Sequence, residues 1–387
     1  MRIILYTGKG GVGKTSIAAA TACAVARSGK KTIVVSTDAA HSLSDSFGIK
    51  LTGDPVNIGD NLWGMEIDVV KENEKNCSIT MDYMQKILTF KAQETIETEE
   101  MMVFPGYEEL LSLVRIKELY DSGEFDTIIV DCAPTGETMS LLKSPELMKW
   151  WMDKFYKKKK KAVKIAGPVV HAATKIPMPD ESMFDEFEVL FNKLDELYKL
   201  FMDKDTVSIR IVTTPEKIVV KEAKRSLTYL HLFDYNVDAV IINKIFPERS
   251  LEGYFSRWGA LQQESIKDIY EGFGKIPVFR MYLQDHELRE MEQLTLAGDQ
   301  IYGDTDPRKV LFKENIFSIT SQDSYRIFSI NMPFADKKDM TMVHTGSELI
   351  IGVKNEKRAF ELPANLRSCE ISKARYEDGR LNIYFEK

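Results

Sequence analysis

Short apolar runs rich in β-branched residues recur along the chain and alternate with longer stretches of helical spacing. The runs Ile3–Thr7, Thr32–Ser36, Thr127–Asp131, Ser208–Thr213, Ala239–Asn243 and Pro277–Arg280 predict strands. Several are apolar at successive positions, so both faces of the strand must be covered. That pattern fits a buried parallel sheet flanked by helices. Lys14 to about Ser28 predicts a helix, with Gly29 at its C-terminal end. The stretch between Ser36 and Thr127, and the stretch 137–205, read mainly as helix.

The pattern changes after the turn-rich segment Gly303–Pro307. Arg326–Met332, Met340–His344, Glu348–Val353, Ala359–Leu362, Ile371–Tyr376 and Arg380–Phe385 predict short strands. Turn signals such as Thr345-Gly346 and Asp378-Gly379 separate them. The expected organisation is an α/β domain over 1–310, with a helical subdomain within about 72–205. A linker over 311–323 and a small β-sandwich over 324–387 follow.

Composition narrows the picture. The 387 residues suffice for two or three structural units. A net charge of −7 argues against a whole-protein polyanion binder, and no nucleic-acid partner is expected. The four cysteines, at 23, 77, 132 and 369, form no C-x-x-C. That leaves no local zinc, redox or cluster motif and suits a reducing, cytoplasmic compartment. The chain opens on a strand-like run without the layout of a signal peptide. No run has the length of a transmembrane helix, so any membrane association would be peripheral. Nine of the seventeen methionines fall within 78–183, together with Trp150 and Trp151. They either fill a helical core or form an adaptable apolar surface. The Lys157–Lys161 run is either a solvated loop or a contact for acidic lipid headgroups or an acidic partner.

The chemistry concentrates in three segments. Gly8, Lys9, Gly10, Gly11, Val12, Gly13, Lys14 and Thr15 fit G-x-x-x-x-G-K-[ST], between a predicted strand and a predicted helix, with Ser16 next in line. Glycines let successive N–H groups turn toward the β- and γ-phosphates of ATP, and the helix N-terminus adds its positive end. Lys14 would sit between those phosphates, and the Thr15 hydroxyl would coordinate Mg²⁺. A second segment, Ser36–Asp45, follows the second strand. Asp38 there either orients the attacking water or caps the next helix. In the third, Asp131 ends an apolar strand and is placed to hold Mg²⁺ through a water. Gly136 and Thr138 would let that segment respond to loss of the γ-phosphate. Cys132 reads as a buried core thiol. Asn243-Lys244-Ile245-Phe246 resembles the guanine-reading Asn/Thr-Lys-x-Asp of related folds, but with Phe246 in place of the acid. Asn243 either pairs with the N6 and N7 edge of adenine or caps its strand.

These segments, with Pro105-Gly106, Pro215-Glu216 and Pro247, together resemble the ArsA family over almost the whole chain. Ser36–Asp45 is similar to S-T-D-P-A-H-x-L-S-D, and Asp131–Thr138 to D-T-A-P-T-G-x-T. The family includes the ATPase of the arsenite efflux pump and the ATPase that targets tail-anchored membrane proteins. The resemblance implies a P-loop NTPase of the deviant Walker A class that hydrolyses ATP with Mg²⁺ in a nucleotide-sandwich homodimer. In the class marked by G-K-G-G-x-G-K-[ST], the lysine matching Lys9 reaches the partner's phosphates; otherwise Lys9 is an exposed loop lysine. Implied partners are a second copy, hydrophobic or membrane-protein client segments, and a membrane receptor or pump.

Departures order the functions. Ala39 replaces the usual proline, and Glu137 stands where targeting ATPases often have His. Without a C-x-x-C, a zinc-clasped dimer is not implied. The cysteines do not match the pump's metalloid ligands, and the ATPase unit is not duplicated. The expected function is therefore an ATP-switched carrier of hydrophobic polypeptide segments, with the ATPase subunit of an arsenite or anion pump as the alternative. Glu348–Val353, Arg358–Leu366 and Ala374–Phe385 resemble the α-crystallin domain. The chain ends on a strand without an I-x-I tail, so a dimer rather than a large shell is expected.

Overall fold

The computed structural model describes residues 1–38, 42–76, 107–151, 181–367 and 369–386. Its main sheet is built from β1 (Arg2–Thr7), β2 (Thr32–Ser36), β3 (Val56–Gly59), β4 (Leu62–Glu66), β5 (Thr127–Asp131), β6 (Val207–Thr213), β7 (Val237–Ile245) and β8 (Val278–Tyr282). The strand order is β3-β4-β2-β5-β1-β6-β7-β8. All neighbours pair in parallel except β3 and β4. Around the sheet lie α1 (Lys14–Arg27), α2 (Ser42–Phe47), α3 (Tyr107–Asp121), α4 (Thr135–Trp151), α5 (Glu181–Met202), α6 (Lys217–Leu232), α7 (Ser256–Phe273) and α8 (Glu290–Tyr302).

The doubly apolar strands do what their pattern requires. Ile3 and Leu5 join one core with Ile33, Val35, Ile128 and Val130. Ile4 and Tyr6 join the other with Val34 and Ile129, against the alanine-rich α1 and α8. Alternate side chains of a strand point to opposite faces, so a strand covered on both sides needs apolar residues at every position. Leu110, Leu111 and Val114 of α3 pack with Leu190 and Leu194 of α5 as a separate cluster.

The β3–β4 hairpin corrects the mainly helical reading between Ser36 and Thr127. Gly59 and Gly64 interrupt its apolar pattern, and only Asp60 and Asn61 join the strands, with Asn61 at φ 57°. A two-residue link of this kind favours an antiparallel pair. Among the described methionines of 78–183, Met139 is buried in the core. Met81, Met84, Met101, Met102, Met152 and Met178 lie outside the described residues, as do Cys77, Pro105-Gly106, Lys157–Lys161 and the first-switch residues Ala39 and His41. Among the described residues no helix is long and apolar enough to cross a membrane.

The C-terminal part is antiparallel throughout. Its strands are β9 (Phe317–Gln322), β10 (Tyr325–Asn331), β11 (Met340–Thr345), β12 (Glu348–Val353), β13 (Glu356–Glu361), β14 (Ile371–Glu377) and β15 (Arg380–Glu386). One sheet has the order β14-β15-β10-β9 and the other β11-β12-β13. Phe328 and Ile330 of the first sheet share a core with Leu349 and Ile351 of the second. β9 falls in the segment read from sequence as a linker; its polar Ser318, Thr320, Ser321 and Gln322 hide it. This unit is fastened to the main domain through Arg358. Its guanidinium donates to Glu146 Oε1 of α4 at 3.0 Å, to the Leu232 carbonyl of α6 at 3.0 Å and to Tyr198 Oη of α5 at 3.3 Å. Lys143 and Glu356 add an ion pair at 2.6 Å. Burial pulls the pKa of His231 down to about 4, so its neutral ring donates from Nδ1 to the Asn331 carbonyl at 3.1 Å.

Candidate active site

The carboxyl ends of β1, β2, β5, β6 and β7 bring the three sequence segments together at one edge of the sheet, where ligands of open α/β folds bind. The loop after β1 can pass there only with glycine at two points. At Gly8, with φ 155°, an added Cβ would lie 2.2 Å from the Val212 carbonyl oxygen. At Gly13, with φ 88°, it would lie 2.4 Å from Asn243 Nδ2. Gly13 caps α1 without a side-chain hydrogen bond, so the first N–H groups of the helix meet no capping side chain.

Lys14 and Lys9 have different surroundings. Lys14, the first residue of α1, is only 7% exposed. The Lys9 side chain is 40% exposed and reaches sideways to Glu222 of α6, with Nζ 3.7 Å from Oε2. Thr15 Oγ1 lies 3.1 Å from Ser42 Oγ at the start of α2.

Asp131 is buried at the end of β5, in register with Ser36 of β2 and Tyr6 of β1. Neither carboxyl oxygen meets the geometry of a hydrogen bond. Burial raises its pKa to about 7; Thr15 and Lys14 oppose that rise, and Asp38 adds to it. The segments after β2 and β5 are tied together. The Thr37 N–H donates to the Asp131 carbonyl at 3.0 Å, and the Ala133 N–H to Thr37 Oγ1 at 3.4 Å. The Asp38 N–H donates to Ser36 Oγ at 3.2 Å. Thr138 Oγ1 donates to the Ala133 carbonyl at 2.6 Å, closing the turn into α4. Cys132 is fully buried, and burial pushes its thiol pKa up.

Asn243 sits against the loop, with both its polar atoms engaged. Nδ2 donates to the Val12 carbonyl at 2.8 Å, and Oδ1 accepts from the Lys244 N–H at 2.8 Å. The side chain therefore braces the loop, and these bonds use one of the two Nδ2 hydrogens and one of the two Oδ1 lone pairs. Lys244, which the sequence reading passes over, donates from Nζ to the Gly11 carbonyl at 2.7 Å. Asn243 also lines a cavity of about 380 Å³ with Gly13, Ser16, Lys244, Tyr282 and Leu283. Sequence reasoning likewise passes over Ser42 and Glu222, for which no local motif exists. Among the described residues no group of three or more His, Cys, Asp or Glu side chains could hold a metal ion.

Comparison with known proteins accounts for this assembly. A family model described as an anion-transporting ATPase, ArsA_ATPase, matches residues 1–303. A second, described as an HSP20-like domain found in ArsA, matches 323–385. The putative arsenical pump-driving ATPase 1 of Aquifex aeolicus is 36% identical, across 99% of this chain and 100% of its own. A putative arsenical pump-driving ATPase of Chlorobaculum tepidum is 34% identical, across 100% of this chain and 96% of its own. An ATPase ASNA1 homolog 2 of Paramecium tetraurelia is 29% identical, across 76% of this chain and 91% of its own. The chain belongs to the ArsA family of ATPases and carries that family's HSP20-like domain at its C-terminal end.

Proposed function

We propose that this ATPase hydrolyses MgATP between two copies of the chain and uses the cycle to bind and release hydrophobic polypeptide segments. The observation that carries the catalytic half is the division of labour between two loop lysines. Lys14 is enclosed at the head of α1, whereas Lys9 leans out of the loop. One suits phosphates held by its own subunit, the other phosphates held by a partner. Gly8 to Ser16 would wrap the phosphates, and the base would enter the cavity beside Asn243 and Lys244.

The residues fit Mg²⁺. Asp131 is a buried carboxyl group with Thr15 and Lys14 close enough to favour its charged form, and Thr15 holds a hydroxyl at the loop. Thr15 would bind the ion directly and Asp131 through a water. The ion would neutralise phosphate charge during transfer. Asp38, just past β2, would orient the attacking water. Asp38→Asn is then expected to lower turnover about 10²-fold while ATP stays bound, as read by single-turnover hydrolysis beside nucleotide retention. Normal turnover would remove Asp38 from the mechanism.

The carrier reading rests on the resemblance to targeting ATPases and on a working place in the cytoplasm, at most peripheral to a membrane. The names of the most similar relatives favour a second reading, the driving subunit of an arsenical pump. Against it, the three cysteines among the described residues, Cys23, Cys132 and Cys369, are all buried, and burial pushes the Cys23 thiol up to about 12. Soft metalloid binding needs accessible thiolates. A hydrophobic helix peptide, added without detergent, is expected to change the steady-state ATPase rate and to co-purify only with the ATP-bound protein. A response to arsenite alone would put the pump first.

A further inference from the structure

We infer that Glu222 is a positioning residue for Lys9, holding the loop lysine inside its own subunit until a second copy takes it up. The inference rests on the reading that Lys9 acts in trans.

The fold makes this pairing, since nothing local in the sequence relates the two residues. β1 and β6 are parallel neighbours, with Thr7 opposite Ile211. The loop leaving β1 and the helix entered from β6 therefore open side by side. Glu222 lies in the second turn of α6, and its two carboxylate oxygens serve different segments. Oε2 faces Lys9 Nζ at 3.7 Å, and Oε1 accepts from Thr135 Oγ1 at 3.3 Å. Thr135 is the first residue of α4, directly after the segment that Asp131 begins. One carboxylate thus touches the loop lysine and the head of the helix expected to move when phosphate leaves.

Two other cations of the helix are held elsewhere. Lys217 and Lys224, on the same helix, pair with Glu264 and Asp268 of α7. The strength of the Lys9 pair also suits a latch. The side chains are 40% and 22% exposed, and a pair so open to water is weak enough to break when a better acceptor arrives. Phosphates of a partner-bound nucleotide would be such an acceptor. Taking Lys9 away would leave Thr135 as the partner of the Glu222 carboxylate among the described residues, so engagement across the interface would be felt at the start of α4.

Breaking the latch draws on the free energy of ATP-driven closure. Glu222→Gln keeps the size and an acceptor for Thr135 but removes the charge that holds Lys9. It is expected to lower the ATP concentration at half-maximal turnover by about two- to fivefold, leaving the effect off turnover at saturating ATP. The difference should vanish near 1 M salt, where screening acts over about 3 Å and the wild-type pair is already loosened. A purely structural loss would raise that concentration or lower saturated turnover, and either result overturns the inference, as does an unchanged value at low salt. A mixing control separates this from failure of the trans reading. Lys9→Ala and Lys14→Ala, each inactive alone, should regain activity when mixed, because the second supplies Lys9 to nucleotide held by the first. No recovery sinks the trans reading itself. Recovery without the Glu222→Gln shift sinks the role of Glu222 alone.

Discussion

Lys9→Ala is expected to lower turnover by about 10³- to 10⁵-fold while ATP affinity falls by less than about tenfold. The asymmetry follows from where the two lysines lie. Lys14 is enclosed at the loop's exit into α1, so its removal would damage binding and chemistry together. Lys9 extends to Glu222 and leaves the interior of its own loop free of its charge. A cation that arrives only when a second subunit closes contributes to the transition state and little to the ground state. Loss of such a group appears in kcat and not in binding. Steady-state hydrolysis beside equilibrium binding of a fluorescent ATP analogue separates the two. Unchanged turnover in Lys9→Ala would remove the shared-site mechanism, and a parallel collapse of binding would return Lys9 to its own subunit's phosphates.

Much of the main domain is legible because its strands are covered on both faces. Ile3–Tyr6 and Ile128–Val130 must be apolar throughout, and a continuous run of that kind is easy to find. The same burial makes the candidate site legible, since parallel strands deliver their C-terminal ends to one edge, where Asp131 ends β5 and Lys14 and Asp38 lie in segments that leave β1 and β2. What stays hidden is whatever lacks burial or locality. β3 and β4 form an edge hairpin with glycines in place of β-branched residues. β9 shows mostly polar side chains. Glu222 is an ordinary helix glutamate until the β1–β6 pairing sets α6 beside the loop. Asn243 stands out in the sequence as a candidate by its place at the strand end. Its engagement with Val12 depends on the loop's path, which periodicity does not encode.

Arg210→Ala is expected to cost about 3–5 kcal/mol of stability, read as a lowered urea midpoint. Arg210 points from β6 into the layer under α1 and α8 and is 0% exposed. It donates to Asp238 Oδ1 at 3.1 Å, to the hydroxyls of Tyr6 and Tyr302 at 3.2 and 3.1 Å, and to the Pro307 carbonyl at 2.6 Å. Asp238 in turn accepts from Ser208 Oγ at 2.9 Å and from the Leu311 N–H at 3.3 Å. Alanine would take the nearer cation from the buried Asp238 carboxylate, leaving only Arg2 Nη2 at 3.6 Å, and would strip two tyrosine hydroxyls and the Pro307 carbonyl of a buried donor; under-paired burial of a charge is what makes such losses large. The pair need not be worth that much itself. Arg210→Met combined with Asp238→Asn should cost less than Arg210→Ala alone, because the stranded charge is then gone. The network also fixes the chain's path, since Pro307 and Leu311 lie just beyond α8, where it leaves toward the HSP20-like domain. If the network acts as that anchor, Arg210→Ala should expose the 303–316 segment to protease before the midpoint of unfolding. A double variant as unstable as the single one would instead place the loss in packing around the missing side chain.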